Sequence, residues 1–167
     1  MLIYPAVDSR ARRFHPSFMS NNTPEKIHGT CVEVEGMGVL LRGPSGSGKS
    51  DLALRLMDDG ARLIADDYTE VAADGEKLLA SAPENIHGLI EVRGVGVLQT
   101  GAAVRAELGV VIDLVAAKDI DRLPEDKTTD LIGTSIPYFR LAAFEASAPA
   151  KVRFIVRRVK GDIIHVP

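Results

Sequence analysis

One cysteine, no apolar run of 18 residues and no excess of positive charge are the scarcities that first limit this chain of 167 residues. Cys31 has no second cysteine to bridge, so a disulfide-stapled scaffold is excluded; set in a stretch of alternating apolar residues, it reads as a small core residue in a reducing compartment. With no long apolar run there is no candidate transmembrane helix, and the first residues carry no signal-peptide core. The sequence therefore predicts a soluble, cytoplasmic protein with no membrane insertion. A net charge of −3 and a pI near 5.8 leave no general basic field for nucleic acid, so any polyphosphate must be held by local geometry. There is no internal repeat, and 46% apolar residues in a chain of this length suffice for one core and one domain.

What is present is an uninterrupted phosphate-loop pattern, Gly43-Pro44-Ser45-Gly46-Ser47-Gly48-Lys49-Ser50. Glycines let the backbone turn where a Cβ would forbid it, leaving successive N–H groups aimed at phosphate oxygens. Lys49 adds a cation that reaches the β- and γ-phosphates, and the Ser50 hydroxyl is placed to ligate Mg²⁺. The flanks agree. Val39, Leu40 and Leu41 form a short strand-like run before the loop, while Leu52, Ala53, Leu56 and Met57 make one helical stripe after it, with Gly60 at the stop. A loop between a strand and a helix N-terminus favours an anion.

In chain order, residues 1–25 have scattered prolines and the cluster Arg10, Arg12, Arg13 without a sustained period, which predicts a flexible N-terminal extension. Met19 could be the first residue of the working domain, which is placed at 26–167. Thr30–Val34 alternates and Glu35-Gly36-Met37-Gly38 offers a turn, so the predicted sheet is partly antiparallel. Arg62–Ala65 reads as a buried strand ending in Asp66-Asp67. Tyr68–Ala72 and Lys77–Ala80 flank an Asp74-Gly75 hairpin signal. Gly88–Leu98 is glycine-punctuated, and Gly109–Val115 is a further buried strand. Residues 119–134 read as a polar surface loop, 135–150 as a short helix interrupted by Pro137 and Pro149, and Val152–Val159 with Ile163–Val166 as two strands around Lys160-Gly161-Asp162. The fold class is α/β with mixed sheets.

Phosphoryl transfer also needs a carboxylate to take the substrate proton and cations to hold the developing charge. Asp66 and Asp67 end a strand 16 and 17 residues after Ser50, where the chain returns to the edge that bears the loop. Adjacent strand residues point to opposite faces, so one of the two is expected to face the nucleotide. Glu91 and Arg93 share a face if 90–92 is extended, one for Mg²⁺ and one for phosphate, or else they form a plain ion pair. Asp113, at the end of Val110-Val111-Ile112, is a rival metal ligand.

Ile27-His28-Gly29, the loop at 43–50, Leu63-Ile64-Ala65-Asp66-Asp67 and Ile90-Glu91-Val92-Arg93-Gly94-Val95-Gly96 together resemble the successive motifs of the HPr kinase/phosphorylase catalytic domain. Order and spacing match over residues 27–123, including 22 residues from His28 to Ser50 and 17 from Ser50 to Asp67. The resemblance implies a kinase moving the γ-phosphate of ATP to a serine of the phosphocarrier protein HPr, on a phosphoenolpyruvate-carboxykinase-like fold. It implies Asp67 as base, Lys49 on the phosphates, Ser50 and Glu91 on Mg²⁺, His28 beside the transferred group, and Arg122 as a catalytic arginine. It also implies a homo-oligomer, a hexamer in the family.

Two departures qualify the resemblance. The resemblance covers neither the family's N-terminal domain nor its C-terminal helices, so a short form of the enzyme is expected. The Pro-rich, Arg-containing loop associated with phosphorolysis has only a loose match at Ile136-Pro137-Tyr138-Phe139-Arg140, so weak reversal by phosphate is expected. A GTPase-type switch would need Asn-Lys-x-Asp and a transporter ATPase a Gly-rich signature, and neither is present. A small-molecule kinase or carboxykinase-like enzyme would use the same loop and carboxylate, and stays the alternative.

Overall fold

The computed structural model describes residues 23–166. The arginine cluster and Met19 lie outside that range, and Glu25, assigned by the sequence to the extension, already opens the first strand. That strand, β1 (Glu25–His28), is followed by β2 (Thr30–Val34), β3 (Met37–Arg42), α1 (Lys49–Asp58), β4 (Arg62–Ala65), β5 (Tyr68–Asp74) and β6 (Lys77–Ser81). Then come β7 (Leu89–Val92), β8 (Gly96–Gln99), β9 (Arg105–Leu114), β10 (Lys127–Leu131), β11 (Thr134–Leu141) and α2 (Ala148–Lys160). No helix among the described residues is long and apolar enough to cross a membrane.

Among the described residues nine strands form one curled sheet in the order β1-β5-β6-β9-β3-β2-β4, with β11 also on β9 and β10 beside β11; β7 and β8 pair separately. The curl comes from β9, which is antiparallel to β6 through Arg105–Glu107 and parallel to β3 further along. β2 is antiparallel to both β3 and β4, and β9 is parallel to both β3 and β11. The C-terminal ends of β3, β4, β9 and β11 therefore share one edge, the edge where ligands bind in open α/β sheets.

Alternation places Val39, Leu41, Val110 and Ile112 on the face covered by α1 and α2, and Leu40 and Val111 on the opposite face with Cys31, Ile64 and Val71. Both faces are buried, so these strands read as continuous apolar runs. Burial pushes the Cys31 thiol up to about 12, so it behaves as an inert core group. The β2–β3 hairpin turns through Glu35 and Gly36, at φ 50° and 83°, the paired positive values of a primed turn. Gly60 closes α1: its N–H donates to Met57 C=O at 3.0 Å while Ala61 N–H reaches Leu56 C=O at 3.0 Å.

The C-terminal third differs from the sequence expectation in four places. Residues 119–134 contain β10, an edge strand whose exposed Lys127, Thr128 and Asp130 carry no apolar signal and which exists because it pairs with β11. Residues 134–141 form that strand, where the sequence predicts a helix from 135 on; Pro137, barred from a helix interior, sits in it opposite Thr128. Val152–Val159 is helix, because Val152, Ile155 and Val156 bury at helical spacing while Arg153, Arg157 and Arg158 face outward to acidic partners. Pro149 sits in the first turn of this helix and Gly161, at φ 83°, ends it, so residues 163–166 continue without strand pairing.

Candidate active site

The loop leaves β3 and enters α1 as its spacing demands. Gly48, at φ 94°, has no room for a side chain: a Cβ would stand 2.7 Å from Ala143 Cβ and 3.0 Å from the Phe144 ring. Ser47 N–H donates to Pro44 C=O at 3.0 Å, and the buried Ser47 hydroxyl has no hydrogen-bond partner among the described residues. Lys49 is 6% exposed, and its ammonium donates to Gly43 C=O at 2.8 Å and Pro44 C=O at 3.2 Å. Those carbonyl contacts hold a cation against the loop it serves.

A cleft of about 510 Å³ opens beside the loop, lined by Lys49, Ser50, Asp66, Asp67, Glu91 and Arg93 among others. Adjacent residues of a strand would point to opposite faces, but both aspartates line the cleft. The reason lies in the backbone: β4 stops at Ala65, and Asp67 takes φ 65°, with Tyr68 N–H bonded to Asp66 C=O at 2.7 Å. That tight three-residue turn takes Asp67 out of strand geometry and is a strained conformation of the kind that clusters at functional sites.

The two carboxylates have different surroundings. Asp66 is 8% exposed and accepts from Ser50 Oγ at 2.7 Å, Thr30 Oγ1 at 3.0 Å and Glu91 N–H at 3.3 Å. Asp67 has a side chain 62% exposed and accepts from His28 Nε2 at 3.1 Å. Its backbone is pinned, its N–H donating to Thr30 Oγ1 at 3.3 Å and its C=O accepting from Gly29 N–H at 2.8 Å. The His28 ring packs on Tyr68, centroids 5.4 Å apart. Asp66 is thus an acceptor fixed by three hydrogen bonds at the base of the cleft, and Asp67 an accessible one at its rim.

Glu91 and Arg93 arrive from β7 and the turn after it, and no ion pair joins them among the described residues. Ser50, Asp66 and Glu91 are hard oxygen donors of the kind Mg²⁺ takes. Among the described residues no group of three or more His, Cys, Asp or Glu side chains is placed to hold a metal ion by itself. Asp113 takes no part: it accepts from Arg42 Nε at 2.7 Å, Arg42 Nη2 at 3.2 Å and the Tyr138 hydroxyl at 2.9 Å. Burial and that bond to Asp113 push the Tyr138 phenol up. Arg122 is exposed and is not among the residues lining the cleft. Sequence reasoning missed Thr30, whose one hydroxyl touches both aspartates; its place beside Ile27-His28-Gly29 was the available signal.

A phosphate loop fed by a parallel strand and facing paired carboxylates on a curled mixed sheet defines a phosphate-loop α/β domain. Residues 20–153 match the family described as HPr Serine kinase C-terminal domain, and the chain belongs to that family. It is 43% identical to the HPr kinase/phosphorylase of Caldanaerobacter subterraneus subsp. tengcongensis over 125 residues, 71% of this chain and 40% of that protein. It is 40% identical to the HPr kinase/phosphorylase of Bacillus licheniformis over 141 residues, 77% of this chain and 45% of that protein. The chain thus spans less than half the length of these curated relatives. Its fold is similar to the Hpr(Ser) kinase/phosphatase structure from Coxiella burnetii, with a TM-score of 0.75 at 23% identity, covering 83% of this chain and 92% of that one.

Proposed function

We propose that this domain transfers the γ-phosphoryl group of ATP to a serine of HPr, acting in the cytoplasm as a homo-oligomer, a hexamer by resemblance to the family. The observation that carries the reading is the placement of an accessible carboxylate, Asp67, in the same cleft as the phosphate loop. Asp67 takes the serine proton as the hydroxyl oxygen bonds to the γ-phosphorus and the bond to the β,γ-bridging oxygen breaks, releasing ADP. His28 keeps the carboxylate aimed through its Nε2–H bond. Loop residues Gly43, Pro44, Ser45, Gly46, Ser47 and Gly48 cradle the phosphates, with Lys49 and Arg93 supplying positive charge. Ser50, Asp66 and Glu91 would hold Mg²⁺, which supplies charge neutralisation of the phosphate oxygens. Arg122, outside the cleft, has no step in this proposal.

Reversal by inorganic phosphate needs a second anion site. The loop after β11, residues 142–147, reaches the phosphate loop through Ala143 and Phe144 and contains no lysine or arginine. Arg140 is the cation nearest in sequence, and it lies within β11. Phosphorolysis is therefore weak in this proposal. Incubation of the protein with labelled ATP and either HPr or a panel of metabolites tests the assignment: label on an HPr serine is expected, and label on a metabolite with none on HPr would make this a small-molecule kinase. Pyrophosphate release from phosphoserine-HPr at millimolar phosphate is expected to run well below the forward rate, and equal rates would refute weak reversal.

A further inference from the structure

The loop at 142–147 is fixed to the rest of the domain. Arg55 of α1 donates to Ala143 C=O and, at 3.2 Å, to Glu145 C=O. Val115 N–H donates to Leu141 C=O at 2.9 Å, and Lys151 pairs with Glu145. From this anchored loop Phe144 projects with 71% of its surface exposed, against the interior preference of a phenyl ring. Its ring edge lies on Gly48 of the phosphate loop.

Phe144 lines the charged cleft and also a second cleft of about 700 Å³ that is bordered by Pro44 and Ser47 of the loop. The second cleft is mostly apolar, walled by Pro44, Val115, Ala116, Ala117 and Ala142, with Ser47, Asp119 and Glu145 also in its lining. One cleft therefore carries Asp66, Asp67 and Glu91, and the other is mostly hydrocarbon, with the exposed Phe144 ring common to both.

A nucleoside triphosphate has the matching polarity, charged at the transferred end and flat and aromatic at the other. With its terminal phosphate turned toward Asp67, its base would reach Phe144 and the second cleft, which border the same loop. We propose that Phe144 is the platform on which the nucleobase stacks, with the apolar cleft taking the base. This rests on the nucleotide-binding part of the kinase reading above and adds the residue that engages the base. Because Arg55 already fixes the loop, little ordering is needed on binding. Stacking accepts any base, so the contact supplies affinity without choosing among nucleotides.

The chain has no tryptophan, so Phe144→Trp introduces a single indole reporter at the platform. MgATP is expected to change its emission, whereas Mg²⁺ with inorganic tripolyphosphate, which has no base, leaves it unchanged while still binding by calorimetry. In parallel, Phe144→Ala is expected to weaken MgATP binding roughly five- to hundredfold, as loss of a base–aromatic stack does, with tripolyphosphate affinity unchanged. MgATP affinity equal to wild type in Phe144→Ala would overturn the platform and leave the phosphate loop standing. Equal losses for both ligands would overturn it too, by showing damage to the loop. A wild-type protein that binds neither ligand would overturn the kinase reading and the platform together.

Discussion

Two buried strands, β4 and β9, run parallel to β3 and bring aspartates to the edge that holds the phosphate loop, yet only one of them supplies acids to the cleft. β9 lies directly against β3 in register, and Arg42 pairs opposite Asp113. The guanidinium and the Tyr138 hydroxyl saturate that carboxylate. β4 lies one strand further out, across β2, where the chain turns sharply at Asp67 and no arginine stands opposite. An apolar strand ending in aspartate is thus not enough to make a metal or proton site; the residue across the ladder decides whether the carboxylate is spent on an ion pair or left for chemistry.

The comparison breaks most visibly if the wrong strand end carries catalysis. Asp67→Asn keeps the shape and removes the proton acceptor, so the single-turnover rate is expected to fall roughly 10²–10⁴-fold with MgATP affinity nearly unchanged. A comparable loss in Asp113→Asn, with Asp67→Asn active, would reverse the assignment. Lys49→Ala removes a charge-assisted phosphate contact worth about 1.5–3 kcal/mol, a roughly ten- to hundredfold loss of MgATP affinity by calorimetry. Asp113→Asn is expected instead to leave Arg42 poorly paired in a half-buried site, lowering stability by about 1–3 kcal/mol in urea while the chemical rate changes little.

The smallest effect sharpens the contrast between chemistry and scaffold. The Glu35 carboxyl at the β2–β3 turn is held below the usual carboxylate range, chiefly by its bonds to Arg157 of α2. A depressed folded-state value means this contribution is full above the ordinary carboxylate range and is lost as pH falls through the lowered one. Urea midpoints should therefore drop less on acidification in Glu35→Gln than in wild type. The pair is exposed, so the difference is small.

The site was legible in the sequence wherever local chemistry dictates backbone. The glycines of the loop, the Glu35-Gly36 turn and the strand into Asp66-Asp67 all stand where spacing placed them. What spacing could not show was the division between the aspartates, because it depends on Thr30 and on the left-handed turn at Asp67. The C-terminal third was misread for a different reason. Val-Arg-Phe-Ile-Val is rich in β-branched and aromatic residues, yet Val152, Ile155 and Val156 face the core at helical period while Phe154 stays exposed, and tertiary burial outweighs weak intrinsic preference. β10 has no signal of its own and exists only as a partner of β11.

The central claim is that adjacent aspartates do different work, Asp66 with the metal and Asp67 with the proton. Single-turnover transfer from ATP to HPr, measured for Asp66→Asn and Asp67→Asn across a Mg²⁺ titration, tests it most directly. The account predicts that Asp66→Asn regains rate as Mg²⁺ is raised, whereas Asp67→Asn stays slow at every concentration. Recovery of Asp67→Asn with Mg²⁺, beside an Asp66→Asn variant that no metal concentration restores, would contradict it.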